Sequence, residues 1–379
     1  MSQKHYDYII VGNGLAGLQL ALAFAKDSYF NHKSIALIDA STKTENDKTW
    51  SFWEQNNSTF SHLAYQSWQH ATIYAENQKI SLNLKPYTYK SIRAIDFYAE
   101  AKAQLNQQDN ITFLVETVTS VKEKEIVEVT TKTNNYTTNH VFDSRIPDAF
   151  FKDEKATTLI QHFKGWIIEA EDNVFNKNSL TMMDYRLKDN NQTTFMYLLP
   201  HTKNKALIEF TYFTENIVES DHYDNYLKQY ISEYLNINNY NIVETEVGQI
   251  PMTTFDFQSF NTSKITKIGT AGGWVKPSTG YSFKLTEKRV AKIIENIKTN
   301  QPTTNGFFKN KYKFYDKVFL QVLKDNNEKG EWIFKQFYSK NSTPTMFKFL
   351  DEESSLFEDI KIMWSLFSFS FIKAFFKTL

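Results

Sequence analysis

The sequence predicts an α/β protein in which a parallel-sheet layer is joined to a second, strand-rich layer and a helical end. Three observations predict it. A short apolar strand, a glycine turn, a helix and a second strand follow one another between Tyr6 and Asp39. From Thr157 to Thr214, runs such as QHFKGWIIEA, SLTMMDYRL, TTFMYLLPH and KALIEFTYFT read as strands of a mixed or antiparallel sheet. From Phe307 onward the pattern is helical.

The first unit carries the most chemistry. Tyr8 to Val11 is an apolar run suited to a buried parallel strand. Gly12, Gly14 and Gly17 follow in the G-x-G-x-x-G spacing, Leu15 to Ala25 reads as a helix, and Ile35 to Ile38 is the next strand, ended by Asp39. This is a Rossmann-type βαβ unit with every part in its dinucleotide-binding place. Gly12 permits the turn, Gly14 lets backbone approach a pyrophosphate, and Gly17 lets helix and strand pack closely. The first helical residues, Leu15 and Ala16, offer free N–H groups to phosphate, and Asp39 can accept hydrogen bonds from a ribose. A unit that begins at residue 6 favours FAD over NAD, by analogy with flavoproteins of the glutathione-reductase type that open in this way.

Composition bounds the rest. The 379 residues suffice for two joined domains. The 43 basic and 43 acidic residues balance, which removes the electrostatic case for nucleic acid. The chain has no cysteine, so disulfides, thiolate metal sites and cysteine nucleophiles are excluded; His5, His140 and His162 have no metal-ligand spacing, and no metal site is expected. Only Arg93, Arg145, Arg186 and Arg289 stand among the 43 basic residues, and where lysine is the default an arginine points to a use for its planar fork. The first strand starts almost at once, so no signal peptide is expected, and no run reaches the roughly 18 apolar residues of a spanning helix.

Further along, NDKTWSFWE forms a polar loop with an aromatic cluster at Trp50, Phe52 and Trp53 and an acid, Glu54. Such a loop lies either beside the flavin end of the fold or over simple aromatic packing. A hairpin turns at Glu76–Gln78, a helix ends near Leu105, Ile111 to Val115 is a third strand, and Val118 to Thr131 begins an antiparallel ribbon. His140 to Arg145 returns as a strand, Tyr223 to Leu235 is an amphipathic helix, and Glu244 to Ile250 is a strand. Ile265 to Ile268 runs into GTAGGWVKPSTGYSF, whose Gly272 and Gly273 give a ligand backbone access before a helix at Lys284–Lys298. The expected domains are an FAD-binding domain (1–65, 90–150 and 244–300), a β-rich substrate-binding domain (66–89 and 151–243) and a helical C-terminal region (301–379).

Together these segments resemble the bacterial and plant lycopene cyclases. The resemblance rests on VGNGLAG, NDKTWSFWE, FDSR at Phe142–Arg145, QHFKGW, MMDYR at Met182–Arg186, FMYLLP, IEFT at Ile208–Thr211 and GTAGGWVKPSTGYSF. It implies a lycopene beta-cyclase that turns the ψ-ends of lycopene into β-ionone rings with no net redox change, although the FAD must be reduced, with NAD(P)H as the expected electron source. It implies a proton donor, and Glu209 matches the acidic residue of the family's glutamate–x–threonine motif. By pattern alone Leu207, Glu209 and Thr211 share a strand face that could equally meet solvent. Phe210 departs from the family, many of whose members carry a second acid there. Asp184 is the second candidate acid and forms an expected pair with Arg186. Trp50 and Arg145 are expected at the flavin, and Tyr197, Trp274 and Tyr281 offer aromatic faces to a cation.

The C-terminal run DIKIMWSLFSFSFIKAFFKTL carries no charge from Met363 to Ile372, and Ile360, Met363, Phe367, Phe371 and Phe375 suit one helical face. It reads either as a monotopic anchor or as a helix docked on the core. The expected partners are lycopene and related carotenoids with peripheral membrane contact, at the cytoplasmic side of the cell membrane. The rival activity on the same fold is a flavin monooxygenase or a polyprenyl reductase acting on an isoprenoid.

Overall fold

The computed structural model describes residues 4–379. In chain order its elements are β1 (Lys4–Val11), α1 (Leu15–Lys26), β2 (Ile35–Asp39), β3 (Thr49–Glu54), β4 (Gln66–Trp68), β5 (His70–Ala75), β6 (Gln78–Asn83), β7 (Thr88–Arg93), α2 (Ala94–Leu105), β8 (Ile111–Val115), β9 (Val118–Glu123), β10 (Val127–Thr131) and β11 (Asn135–Asp143). The second half holds β12 (Thr158–Ala170), β13 (Ser179–Asp184), β14 (Thr194–Pro200), β15 (Lys205–Thr214), α3 (Ser220–Glu233), β16 (Tyr240–Thr253), β17 (Ile265–Lys267), α4 (Phe283–Lys298) and five C-terminal helices. These are α5 (Asn310–Asp325), α6 (Gly330–Lys340), α7 (Thr343–Leu350), α8 (Leu356–Ser365) and α9 (Phe369–Thr378).

The first sheet runs β8-β2-β1-β11-β10-β9, with β17 also on β11. Its centre is parallel, because the chain crosses over through α1 and α2, and the strands are apolar on both faces as buried parallel strands must be. Helices α1, α2 and α4 bury Leu18, Phe97 and Val290 on the face that carries Ile10 and Leu37. The ribbon expected from Val118 onward is β9 and β10. Its third strand and the return expected at His140 are a single strand, β11, which spends Asn135–Thr138 on β10 and Val141–Asp143 on β17.

The second sheet runs β16-β12-β15-β14-β13-β5-β6 and is antiparallel except at the β13–β5 pair. Strand β16 is its edge, so the division expected at residue 244 falls inside a strand: residues 244–253 continue this sheet and do not join the first. A small antiparallel sheet, β3-β7-β4, bridges the layers.

The second sheet is covered on both faces, and its side chains divide strictly by alternation. One face carries Trp166, Ile168, Met196, Leu198, Ile208, Phe210 and Tyr212 and receives Tyr223, Leu227, Tyr230 and Ile231 of α3. The other carries Phe195, Leu199, Leu207 and Phe213 and is roofed by Leu320, Phe334, Phe337, Tyr338 and Phe347 of the C-terminal helices. A one-residue slip of β15 would exchange these two sets. Among the described residues no helix is long and apolar enough to cross a membrane.

Candidate functional site

The glycine turn has the shape that a bound dinucleotide requires. Gly12 has φ +104°, and a Cβ there would lie 2.0 Å from Ser144 Oγ. A Cβ on Gly17 would lie 1.9 Å from the Gly12 carbonyl oxygen, so helix and strand are in contact at that point. Gly14 differs: a Cβ built on it meets nothing within 4 Å. It is the N-cap of α1, so this open space lies over the helix N-terminus, where Leu15 and Ala16 begin the first turn. Asp39 ends β2 and accepts from the Asn13 and Ser41 backbone N–H groups, each at 2.7 Å. A carboxylate has about four lone-pair sites, so acceptor capacity remains for a ribose. The Asn13 side-chain oxygen is buried with no partner.

Arg145 is turned onto Asp143 at the end of β11, with Nε 2.9 Å from Oδ1 and Nη2 3.0 Å from Oδ2, and Lys267 Nζ lies 2.8 Å from Oδ2. The Arg145 hydrogen bonds and the two cations hold Asp143 below the usual carboxylate range although burial opposes them. Two cations on one carboxylate leave a net positive cluster next in sequence to Ser144, the residue in contact with Gly12.

Two cavities meet at the second glycine loop. One, of about 770 Å³, is lined by Thr270, Gly272, Gly273, Pro277 and Arg289 among others. The other, of about 390 Å³, lies between the second sheet and its helical roof and is lined by Trp50, Tyr197, Glu209, Gly280, Tyr281 and Tyr338 among others. They share Pro251, Thr270 and Val275. Neither is lined by Gly12, Gly14, Gly17, Asp39 or Arg145, so the first glycine turn lies outside both.

Glu209 is buried in the floor of the smaller cavity, and its sole hydrogen bond is the one Thr211 Oγ1 donates to Oε1, at 2.6 Å. Burial pushes its pKa up to about 8, the nearby charge of Glu246 adds to this, and the Thr211 hydroxyl works against it. It is thus a neutral acid at pH 7. Tyr197 sits opposite Glu209 on β14. The Tyr197 and Tyr281 hydroxyls both meet that of Tyr89, at 2.7 and 2.8 Å, and Tyr197 also donates to Ser51 at 3.2 Å. The phenols satisfy one another and present their rings to the cavity.

Several expected site residues stand elsewhere. Asp184 lies opposite Met196 and therefore on the α3 face of the sheet, away from Glu209. It is fully buried and accepts from Arg186 Nε at 2.9 Å, Arg186 Nη2 at 2.5 Å and Tyr230 Oη at 2.8 Å. With both oxygens engaged, it is corrected from a second acid to half of a structural ion pair. Trp274 is fully buried against Phe307 and lines neither of these two cavities. Trp50 does line the Glu209 cavity and is packed edge-on against Phe97 and Tyr98. The segment expected as an aromatic loop is the strand β3, paired with β7, and Glu54 at its end is bound to Lys90 at 2.6 Å. Glu246, Tyr89 and Gly165 were not singled out by pattern. The signal for Glu246 was present only as one acid in the alternating run ETEVGQI. Among the described residues no group of three or more His, Asp or Glu could hold a metal ion.

Comparison with known proteins agrees with this geometry. The model of the family described as lycopene cyclase protein matches residues 7–375. No curated protein matches. Among solved structures, a geranylgeranyl bacteriochlorophyll reductase-like protein from Thermoplasma acidophilum is similar at TM-score 0.62 and 12% identity, over 100% of both chains. A flavoprotein/dehydrogenase from Cytophaga hutchinsonii is similar at TM-score 0.62 and 10% identity, over 92% of each chain. Halogenase PltM in complex with phloroglucinol and FAD is similar at TM-score 0.61 and 12% identity, over 98% of this chain and 90% of that one. At these identities the likeness establishes the fold, which is that of Rossmann-type flavoproteins.

Two outcomes follow. Gly14→Val has room for its side chain in the empty protein, so the variant folds; it fills the space over the helix N-terminus and abolishes flavin binding, read as flavin absorbance retained after gel filtration. Stability carries the sign of the Glu209 shift. The folded carboxyl keeps a proton that the unfolded one releases near its ordinary value of 4.5, so stability is lost as pH rises from there to about 8. The wild-type melting temperature therefore falls relative to that of Glu209→Gln between about pH 5 and about pH 8, measured by thermal unfolding across that range.

Proposed function

The chain belongs to the lycopene cyclase family, and from that premise we propose that it is an FAD-dependent lycopene beta-cyclase, converting lycopene to β-carotene by way of γ-carotene. The observation that carries the reading is Glu209: a carboxyl that burial keeps protonated, set in an aromatic cavity beside the second glycine loop. Related ψ-ended carotenoids share the chemistry of the reacting end.

The residues that would hold the FAD are Gly12, Gly14, Leu15, Ala16 and Gly17 at the pyrophosphate, Asp39 at the ribose, Arg145 in the positive cluster beside the turn, and Gly272, Gly273 and Trp50 toward the ring. The open space at Gly14 and the spare acceptor capacity of Asp39 fit that group. When bound in its reduced form, with NAD(P)H as the electron source, the flavin supplies negative charge next to the reacting end of the substrate.

The chain's own residues supply the remainder. Glu209 gives its proton to the terminal double bond of the substrate and becomes a carboxylate. The tertiary cation that results is attacked by the neighbouring double bond, which forms the six-membered ring. A ring proton then leaves, so the sum of the steps is an isomerisation. Protonating a plain alkene needs an acid with no water to intercept the cation, and Phe334 and Tyr338 of the helical roof contribute apolar wall to the cavity that would receive the substrate. The rings of Tyr197 and Tyr281 add cation–π attraction.

Lycopene is a membrane lipid, and the outer side of the helical roof is apolar. The run that sequence left open between anchor and docked helix is two short helices broken at Leu366–Ser368. Of the face the spacing suggests, Ile360, Met363, Phe367 and Phe375 are exposed, whereas Phe371 packs on the core beside the buried Ala374. Phe357, Trp364, Phe369 and Phe376 are 70–79% exposed, beside the exposed lysines Lys361 and Lys373. This combination suits monotopic contact with an anionic inner leaflet.

Glu209→Gln keeps the shape and removes the acid. It lowers β-carotene formation by a factor of about 100 to 10,000, with flavin content unchanged, while Glu215→Gln, at an exposed site paired with Lys324, retains activity. The assay is anaerobic, with lycopene vesicles and pre-reduced FAD. Many turnovers per reductant support a cyclase, whereas stoichiometric consumption of reductant indicates the monooxygenase or reductase. Replacing Trp364, Phe369 and Phe376 together by serine moves the protein from the membrane pellet to the supernatant without loss of folding; unchanged sedimentation with vesicles removes this face from the reading.

A further inference from the structure

We propose that Glu246 is the second carboxylate of the site, a positioning residue that stays ionised and thereby keeps the reactive proton on Glu209. The proposal rests on the reading of Glu209 as the proton donor.

The geometry is a single row across the second sheet. Tyr197 on β14 pairs with Glu209 on β15, Glu209 pairs with Gly165 on β12, and Gly165 pairs with Glu246 on β16. Directly paired residues of an antiparallel sheet point to the same face. Both acids therefore face the cavity, and both line it. Their backbones are two strand spacings apart, about 10 Å, and the residue between them has no side chain. A Cβ on Gly165 would already lie 2.9 Å from Leu207 Cδ1 and 3.3 Å from Glu209 Cβ. The gap lets the two carboxyl groups lean toward each other.

The same row explains a departure in the sequence. An acid at position 210 would share its strand with Glu209 but point to the opposite face, where Phe210 stacks on Tyr226 under α3. The cavity takes its second acid from across the sheet.

The hydrogen bonds decide which acid is charged. Glu246 accepts from Thr49 N–H at 2.8 Å on one oxygen and from Thr49 Oγ1 at 2.9 Å on the other. Glu209 accepts one hydroxyl, that of Thr211. Burial raises both carboxyls, and the Thr49 donors oppose it at Glu246 alone. Two carboxyls that feel each other's charge ionise one after the other, and the one with more donors ionises first. The other groups facing the pair are the phenols of Tyr89, Tyr197, Tyr281 and Tyr338, all raised by burial and neutral. The charges near Glu246 are Lys48 and Glu244, with Asp47 also on the cavity wall. No cation stands between the two acids in the row.

The test uses the full chain loaded with FAD. The carboxylic-acid C=O band of Glu209, identified by its loss in Glu209→Gln, is followed by infrared titration in wild type and in Glu246→Gln. The carboxamide keeps an acceptor for Thr49 N–H and removes the charge. The Glu209 midpoint is expected to fall by about one unit or more, a tenfold change in the protonated fraction above it. In the vesicle assay the alkaline limb of the pH–rate profile moves down by the same interval, and the rate recovers toward wild type near the acid end. Glu246→Met, uncharged and of similar size, is the second variant and is expected to shift likewise. An unchanged Glu209 midpoint in both variants overturns the proposal, as does a loss of rate that is uniform across pH. If Glu209→Gln itself turns over normally, the donor assignment fails, and the infrared midpoint still decides whether Glu246 sets the proton on Glu209.

Discussion

A buried carboxyl must be paired with a cation, be held by several hydrogen-bond donors or keep its proton, and among the described residues Glu209 has no cation partner and a single hydroxyl donor. Its neighbours are a threonine hydroxyl, tyrosine rings and a second carboxyl. Elsewhere the chain follows the opposite course. Asp184 is paired with Arg186, Asp143 with Arg145 and Lys267, and Glu54 with Lys90. The contrast separates the paired acids from Glu209: a paired carboxylate is stable in its ionised form, whereas an unpaired buried one is costly to ionise and holds its proton.

That state depends on the burial of Glu209, to which the architecture contributes from outside the strand. The floor of the cavity is the second sheet, but its roof comes from helices more than a hundred residues later in the chain. Phe334 and Tyr338 reach the cavity, and Phe337 and Phe347 fill the core around it. The roof helices thus have an inner face that closes the site and, in α8 and α9, an outer face of exposed aromatics. The other face of the sheet is sealed by α3, so the polar cluster around Asp184 is insulated from the cavity by the thickness of the sheet.

The first layer solves a different problem. Its glycines are not interchangeable: Gly12 and Gly17 are in contact with neighbouring atoms, and Gly14 borders empty space. Only the last is free to meet a ligand. The second glycine loop lies where the two cavities touch, so it bounds both the larger cavity and the one that holds Glu209.

The sequence by itself determined what is local. The βαβ unit was legible because its strand, glycine spacing, helix and terminal acid all lie within 34 residues, Tyr6–Asp39. Glu209 was reached only through the resemblance of IEFT to the family's motif, and the C-terminal aromatics were visible as composition. What only the tertiary structure decided is facing. Period-two alternation gives two faces and does not say which meets solvent, which meets α3 and which meets the roof. Hence Asp184 could be read as a second acid, although β13 turns it to the far face, and a strand boundary could be drawn at residue 244 inside β16. Glu246 was invisible for the same reason. It lies 37 residues from Glu209 in the chain and one glycine away in the sheet, a nearness created by strand pairing, which no spacing along the chain records.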